Sequence, residues 1–136
     1  MRILLITLAL TLVLTALGCS NEQDRSDALK AADRIHSFVK KQDFASIYRE
    51  SSDGFKQEGD ESKFVEGMKT IYENVGVLKD TKPVAYQSTI DSNAGKQHVL
   101  IFDLEFERAR ARERVVFIRT KNSEMRLWDI VIEPVG

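Results

Sequence analysis

The segment HVLIFDLEFER, His98–Arg108, carries the clearest β-strand pattern of the chain, and the predicted fold is arranged around it. Successive side chains of a strand point to opposite faces of the sheet. One face of this segment is mainly apolar and carries His98, Leu100, Phe102, Leu104 and Phe106. The other face carries Val99, Ile101, Asp103 and Glu105. The pattern predicts a strand with one face in a hydrophobic core and the other partly in contact with water.

Three neighbouring segments also have strand character. They are PVAYQSTI (Pro83–Ile90), RERVVFIRT (Arg112–Thr120) and MRLWDIVIEPV (Met125–Val135). The turn-forming stretches DSNAGKQ and KNSE precede the second and the fourth strand. Short turns between consecutive strands predict a four-stranded antiparallel meander.

The N-terminal half has helical periodicity instead. Apolar spacing predicts a first helix over about 26–41, with Ser26 as its N-cap. A short second helix is expected after Asp43, and a third over about 61–75, ended by Gly76. The stretch SSDGFKQEGDES between them is expected to form a loop. Helices followed by an antiparallel sheet predict an α+β fold, with three N-terminal helices packed on one face of the sheet.

The chain begins with the pattern of a secretory signal. Arg2 precedes the run Ile3–Gly18, which contains no charged residue and ends in small residues. This run has 16 residues, whereas a membrane-spanning helix needs roughly 20. We therefore expect a signal peptide over residues 1–18, with a transmembrane anchor as the alternative.

Cys19, the only cysteine, follows this run directly, in the stretch LTALGCSNEQD. Ala16, Leu17, Gly18 and Cys19 resemble the lipobox of bacterial lipoproteins, although the commonest form has leucine in place of Ala16 and a small residue in place of Leu17. The resemblance implies cleavage between Gly18 and Cys19 and attachment of acyl chains such as palmitate to Cys19. Because Ser20 is not aspartate, it also implies the outer membrane in a Gram-negative host. The alternative is an incidental cysteine beside an ordinary signal peptide.

The expected mature protein has a polar tether over residues 19–25 and one α+β domain over residues 26–136. Its 118 residues are enough for a single core. Without Arg2, 19 basic residues face 21 acidic ones, which leaves a net charge of −2 and argues against nucleic-acid binding. Once Cys19 is acylated, no cysteine remains for a disulfide or a thiolate metal site.

The order of the elements resembles a known superfamily. Three helices and four long strands, the stretch KKQDFASIYRESSDGFK, a helix ending at Gly76 and the last strand LWDIVIEP are similar to the cone-shaped α+β superfamily of nuclear transport factor 2 and ketosteroid isomerase. Within it, the chain resembles small cystatin-like bacterial envelope domains of unknown function. The resemblance covers about residues 27–134 and implies a cone-like fold. It names no activity, because the same cone hosts enzymes, adaptors and non-catalytic domains.

Four residues are candidates for a pocket inside such a cone: His36, Tyr72, Trp128 and Asp129. The resemblance implies that a buried carboxylate there abstracts a proton, and a pocket histidine is a candidate general base. Each candidate also has a plain interpretation. His36 is then a partly exposed helix residue without a task, Trp128 fills the core, and Asp129 pairs with Arg126 or with an arginine of the third strand.

His98 is expected at a strand end beside the turn, with a position facing a pocket as the alternative. His36 and His98 are 62 residues apart, without cysteines or suitably spaced carboxylates, so neither a metal nor a cofactor is expected. The chain has no glycine-rich phosphate loop and no serine-nucleophile motif.

The stretch FERARARERVV holds a run of arginines that is a candidate site for an anion or a lipid headgroup. The run consists of Arg108, Arg110, Arg112 and Arg114. Glutamates are interleaved with them, and alternating charge at a hairpin end is typical of a solvated tip.

These patterns predict a lipid-anchored cell-envelope domain, on the periplasmic side of the outer membrane in a Gram-negative host. We expect it to bind a protein partner or a small apolar ligand without catalysis, or to form a homodimer through the uncovered sheet face. Two alternatives stay open. One is a small pocket enzyme of the ketosteroid-isomerase type, and the other is a module that binds an anion or a lipid headgroup.

Overall fold

The computed structural model describes residues 16–136, and the side chains from residue 21 onward. Most of the expected signal peptide, residues 1–15, therefore lies outside the described residues. Within them, four helices precede four strands. The helices are α1 (Ala16–Lys40), α2 (Phe44–Glu50), α3 (Asp53–Gln57) and α4 (Glu61–Val75). The strands are β1 (Leu78–Asp91), β2 (Gly95–Phe106), β3 (Arg110–Arg119) and β4 (Met125–Pro134).

The strands form one antiparallel sheet in the order β1-β2-β3-β4, which confirms the predicted meander. β1 begins at Leu78 rather than Pro83, because its start pairs with Phe106 at the end of β2. An irregularity between Val116 and Phe117 shifts the β3–β4 register, so that Trp128 has no partner residue on β3.

The first helix begins earlier than predicted. α1 starts at Ala16, so residues 21–25 are helical rather than an extended tether, and Ser26 lies inside the helix rather than at its N-cap. Contacts with the sheet explain the longer helix. Asp24 accepts hydrogen bonds from Lys96 and Arg119, and Arg119 also binds Asp27.

The prediction of three helices was also wrong, because the expected loop contains α3. The Ser52 side chain caps this short helix by accepting a hydrogen bond from the backbone N–H of Phe55. The other predicted helix boundaries hold. Asp43 caps α2, and Gly76, at φ 81°, ends α4 by donating its N–H to the carbonyl of Tyr72.

The helices pack on one face of the sheet, and the core lies between the two layers. On β2, the five residues from His98 to Phe106 that were predicted to share a face are all buried. α1 contributes Ala28, Ala32, Ile35 and Val39 to the same core. No helix of residues 16–136 is long and apolar enough to span a bilayer.

Candidate functional site

The layer between α1 and the sheet buries a histidine–glutamate pair. His36 of α1 and Glu113 of β3 are 3% and 1% exposed, and His36 Nε2 lies 2.7 Å from Glu113 Oε1. The His36 and Phe102 rings make a T-shaped contact, with a centroid distance of 4.7 Å. His36 is therefore fully buried, and the interpretation as a partly exposed helix residue was wrong.

Three buried polar atoms among the described residues have no hydrogen-bond partner. They are His36 Nδ1, Tyr72 OH and Glu113 Oε2. A buried polar group without a hydrogen-bond partner costs about 1–3 kcal/mol, so these atoms lower the stability of the fold. An imidazole and a carboxylate in contact are residue types that general acid–base catalysis uses.

The four predicted pocket residues do not converge on one site. His36 and Tyr72 each have an unpartnered polar atom in the buried layer. Asp129 lies on the opposite face of the sheet, where its carboxylate is 3.5 Å from Arg114, as the ion-pair interpretation predicted. Trp128 is only partly buried, and its ring covers Gly54 of α3 so closely that a side chain at that position has no room. The expectation that Trp128 fills the core was therefore wrong.

Sequence reasoning missed Glu113, although a signal for it was present. The alternating charges around it suggested a solvated tip, yet Glu113 is in phase with Ala111, Val115 and Phe117 on β3. Those three residues are buried, so the pleat places Glu113 in the core.

His98 is also buried, inside β2 rather than at a strand end. Its Nδ1 lies 3.0 Å from the hydroxyl of Tyr86, and the two rings are stacked. Burial lowers the pKa of His98 below its ordinary value, and the nearby Asp24 carboxylate only partly opposes this shift. Burial also raises the pKa of Asp24, but its hydrogen bonds from Lys96 and Arg119 outweigh this effect and lower that pKa.

The arginine run does not form a cluster. Arg112 and Arg114 lie within β3 rather than at a tip, and they pair with Asp103 and Asp129. Arg108 donates to the carbonyls of Glu73 and Asn74 at the end of α4.

Arg110 and Arg112 line a cleft of about 440 Å³ at this end of the sheet. The charged side chains of the cleft are balanced, with Lys82, Arg110 and Arg112 against Asp80, Asp103 and Glu105. An even balance gives the cleft no preference for an anion.

An apolar groove of about 220 Å³ lies between α4 and the edge strand β4. Its lining consists of Lys63, Phe64, Gly67, Met68, Ile71, Ile130 and Ile132. Gly67 contributes to the opening, because a Cβ built there meets no atom within 4 Å. Neither His36 nor Glu113 lines the groove or the cleft.

Residues 16–136 contain no group of three histidine, cysteine, aspartate or glutamate side chains placed to hold a metal ion. The features of the described residues that could bind or react are the buried pair of His36 and Glu113, the buried His98 beside Tyr86, the charged cleft and the apolar groove.

Comparisons with known proteins place the chain by fold alone. No family model matches the chain, and no curated protein matches it. A structure from Catenulispora acidiphila is similar with a TM-score of 0.62 and 11% identity, covering 85% of this chain and 94% of that chain. Aln2 from a Streptomyces species has a TM-score of 0.55 and 10% identity, covering 82% and 90%. Bd1075 from Bdellovibrio bacteriovorus has a TM-score of 0.54 and 11% identity, covering 86% of this chain but 41% of its own. The chain thus shares an α+β fold with these proteins.

Proposed function

We propose that this protein is a lipid-anchored domain of the bacterial cell envelope that binds an apolar group in the α4–β4 groove, without catalysis. The apolar groove carries this proposal. The proposal includes a cone-like arrangement of helices and sheet, as in the nuclear transport factor 2 superfamily, which the long four-stranded sheet and its helix layer support.

The proposed anchor is Cys19, on the evidence of the sequence. An uncharged run ends directly at this cysteine, and Gly18 fits the lipobox before it. Two or more acyl chains hold a protein stably on a bilayer, because each buried methylene contributes about 0.8 kcal/mol. Ser20 favours the outer membrane in a Gram-negative host.

The size of the groove restricts the ligand. Sites for drug-sized ligands enclose about 300–1,000 Å³, and this groove encloses about 220 Å³. A small apolar molecule, or one apolar side chain of a protein partner, matches that space. Lys63 is the one charged residue of the lining, so it adds a single positive charge to an otherwise apolar site.

Filling the groove tests the proposal. The experiment uses a protein of residues 20–136, which lacks Cys19 and the residues before it and keeps the whole groove. Toluene and indole serve as the apolar probe ligands. In wild-type protein we expect saturable NMR shifts of the methyl groups of Met68, Ile71, Ile130 and Ile132. Gly67→Leu should abolish these shifts, because the new side chain occupies the groove. Lys69→Leu is the matched control, since it adds the same side chain to an exposed position of α4 outside the groove. Shifts that persist in Gly67→Leu would overturn the groove as the binding site.

The buried pair of His36 and Glu113 supports a second candidate, a small pocket enzyme. Two titratable side chains lie within hydrogen-bonding reach in an apolar layer. Against it, the aromatic side chains of Phe44, Phe102 and Phe117 fill the interior. A catalytic histidine must be reached from solvent, so rapid modification of His36 by diethylpyrocarbonate in the folded protein would favour the enzyme. We expect His36 to be modified only after unfolding.

The other proposals have less support in the contacts. An anion-binding module lacks a converging set of arginines, since Arg108, Arg112 and Arg114 each bind a different part of the chain. The uncovered sheet face is an alternative surface for a protein partner or a homodimer. Its ion pairs, Arg112–Asp103 and Arg114–Asp129, would have to lose water in such an interface.

A further inference from the structure

We propose that the protein touches the bilayer at a second place, the end of the sheet beside the start of α1, with Ile90 in the lipid interface. This inference rests on the proposed lipid anchor at Cys19. It adds a defined orientation of the domain on the membrane, which an acyl anchor alone does not provide.

Ion pairs fix the start of α1 to one end of the sheet. Asp24 lies 2.8 Å from Lys96, at the beginning of β2, and 2.6 Å from Arg119, at the end of β3. Arg119 also lies 3.0 Å from Asp27. The turn 92–94 ends two positions before Lys96, and the turn 120–124 directly follows Arg119, so both turns lie at the α1 end of the molecule.

The helix keeps this end close to the anchor. Cys19 and Asp24 both belong to α1, and five helical residues span about 7.5 Å. The turn 92–94 is separated by only one residue from Lys96, whose side chain binds Asp24. A helix also lacks the freedom of an extended tether, so acyl chains at Cys19 hold the sheet end near the headgroups.

Ile90 supplies the apolar contact. It pairs with Lys96 across β1 and β2, beside the attachment point of α1, and it is 87% exposed. Val84, on the same edge strand, is exposed as well. At the opposite end, Val135 is 54% exposed and its N–H binds the carbonyl of Arg110. Ile90, at the end nearest the anchor, is therefore more exposed than Val135 at the far end.

The charges of this end are balanced. Residues 22–27, 91–96 and 119–126 together contain five acidic and five basic side chains. The acids are Glu22, Asp24, Asp27, Asp91 and Glu124, and the bases are Arg25, Lys96, Arg119, Lys121 and Arg126. With no net charge, the contact depends on the apolar side chain, and salt should leave it unchanged.

Depth-dependent quenching tests the contact. The full chain, produced in a bacterial host so that Cys19 can be acylated, is placed in vesicles of phosphatidylethanolamine and phosphatidylglycerol. Ser92→Cys, in the turn beside Ile90, provides a free thiol for a small environment-sensitive dye and leaves the isoleucine in place. Nitroxide-bearing lipids act as quenchers. Val135→Cys is the matched control at the far end. Ser92 and Val135 are both exposed, so neither substitution disturbs the core.

We expect at least about twofold stronger lipid quenching at position 92 than at position 135, because the neighbouring Ile90 lies among the headgroups. The difference should persist when salt rises from about 0.05 to about 0.5 M. Equal quenching at both positions, on protein that remains bound to the vesicles, would overturn the second contact and leave the anchor standing. Protein that does not bind the vesicles at all would overturn the anchor and this contact together.

Discussion

Charged residues are buried on one face of the sheet and exposed to solvent on the other. On β3, Glu113 faces the helices and is 1% exposed, whereas the neighbouring Arg112 faces away and its side chain is 55% exposed. Each has a charged or titratable partner at a similar distance, 2.7 Å from Glu113 to His36 and 2.9 Å from Arg112 to Asp103. The distances are alike, but only the first pair has lost its water.

This difference shows what determines whether a charged residue of this sheet is buried. The face of the sheet to which strand alternation assigns the residue matters more than the local charge pattern. A buried pair is expensive to break, because removal of one partner leaves the other charged or polar group without water. An exposed pair contributes little, because water replaces the missing partner. Paired substitutions on the two faces test how far the comparison holds.

The largest contrast is expected between adjacent apolar residues of β2. Phe102 is buried under the helices, whereas Ile101 is only partly buried on the open face. Phe102→Ala should lower the free energy of unfolding by about 4 kcal/mol, since it removes buried surface and leaves a cavity. Ile101→Ala should lower it by about 1–2 kcal/mol. Urea denaturation measures both values, and equal losses would mean that the open face is covered in solution.

The next contrast is between the two pairs. Glu113→Ala should destabilise the fold by about 3 kcal/mol, because it leaves His36 buried without its partner. Asp103→Ala should cost below about 1 kcal/mol, since its partner Arg112 is solvated. The double variant His36→Leu/Glu113→Leu sharpens the test, because replacing both polar partners by apolar ones should recover most of the loss. A large loss at Asp103 and a small one at Glu113 would reverse the comparison.

A smaller effect is expected when the pH is lowered, because His98 on the helix-facing side of β2 then becomes protonated more readily in the unfolded chain. The pKa of His98 is lowered in the fold, so the unfolded chain binds a proton more readily. Stability from this group is complete above the ordinary value of 6.5 and falls as the pH drops below it. Denaturation at a series of pH values measures the free energy of unfolding. Below pH 6.5 this free energy should decrease less steeply in His98→Asn than in the wild type. Identical slopes would show that His98 does not contribute to acid sensitivity.

The smallest expected effect lies within the helix layer. Gly67 is inside α4 and exposed, and a Cβ added there meets no atom within 4 Å. Gly67→Ala should raise the free energy of unfolding by about 0.5–1 kcal/mol, because alanine restricts the unfolded chain and favours helix. Thermal unfolding measures the gain, and a loss of stability would show that the groove wall is tighter than described.

Much of the sheet follows from sequence, because alternation is a local property. The residues of β2 show their buried face through every second position, and the turn DSNAGKQ marks where the strand begins. The start of α1 was harder to predict from the sequence. The residues after Ser20 are polar and look like a tether, and they become helical through contacts of Asp24 with Lys96 and Arg119, 72 and 95 residues away.

The candidate site was predicted only in part, for the same reason. His36 and Tyr72 were identified as pocket candidates, yet the partner of His36 lies 77 residues away on a charged strand. The resemblance to the superfamily also suggested Asp129 and Trp128, but in the structure Asp129 lies on the open face of the sheet and Trp128 packs against Gly54. The groove depends on the spacing of α4 and β4, which no local pattern contains.

The most direct test of the account is the intact mass of the membrane-extracted protein in a bacterial host, compared between wild type and Cys19→Ser. We expect the wild-type protein to begin at Cys19, to carry the additional mass of acyl chains and to sediment with membranes. The Cys19→Ser protein should lack the acyl mass and leave the membrane fraction. A wild-type protein that retains residues 1–18 with an unmodified Cys19, or a variant with the same mass pattern and location, would contradict the proposed lipid anchor.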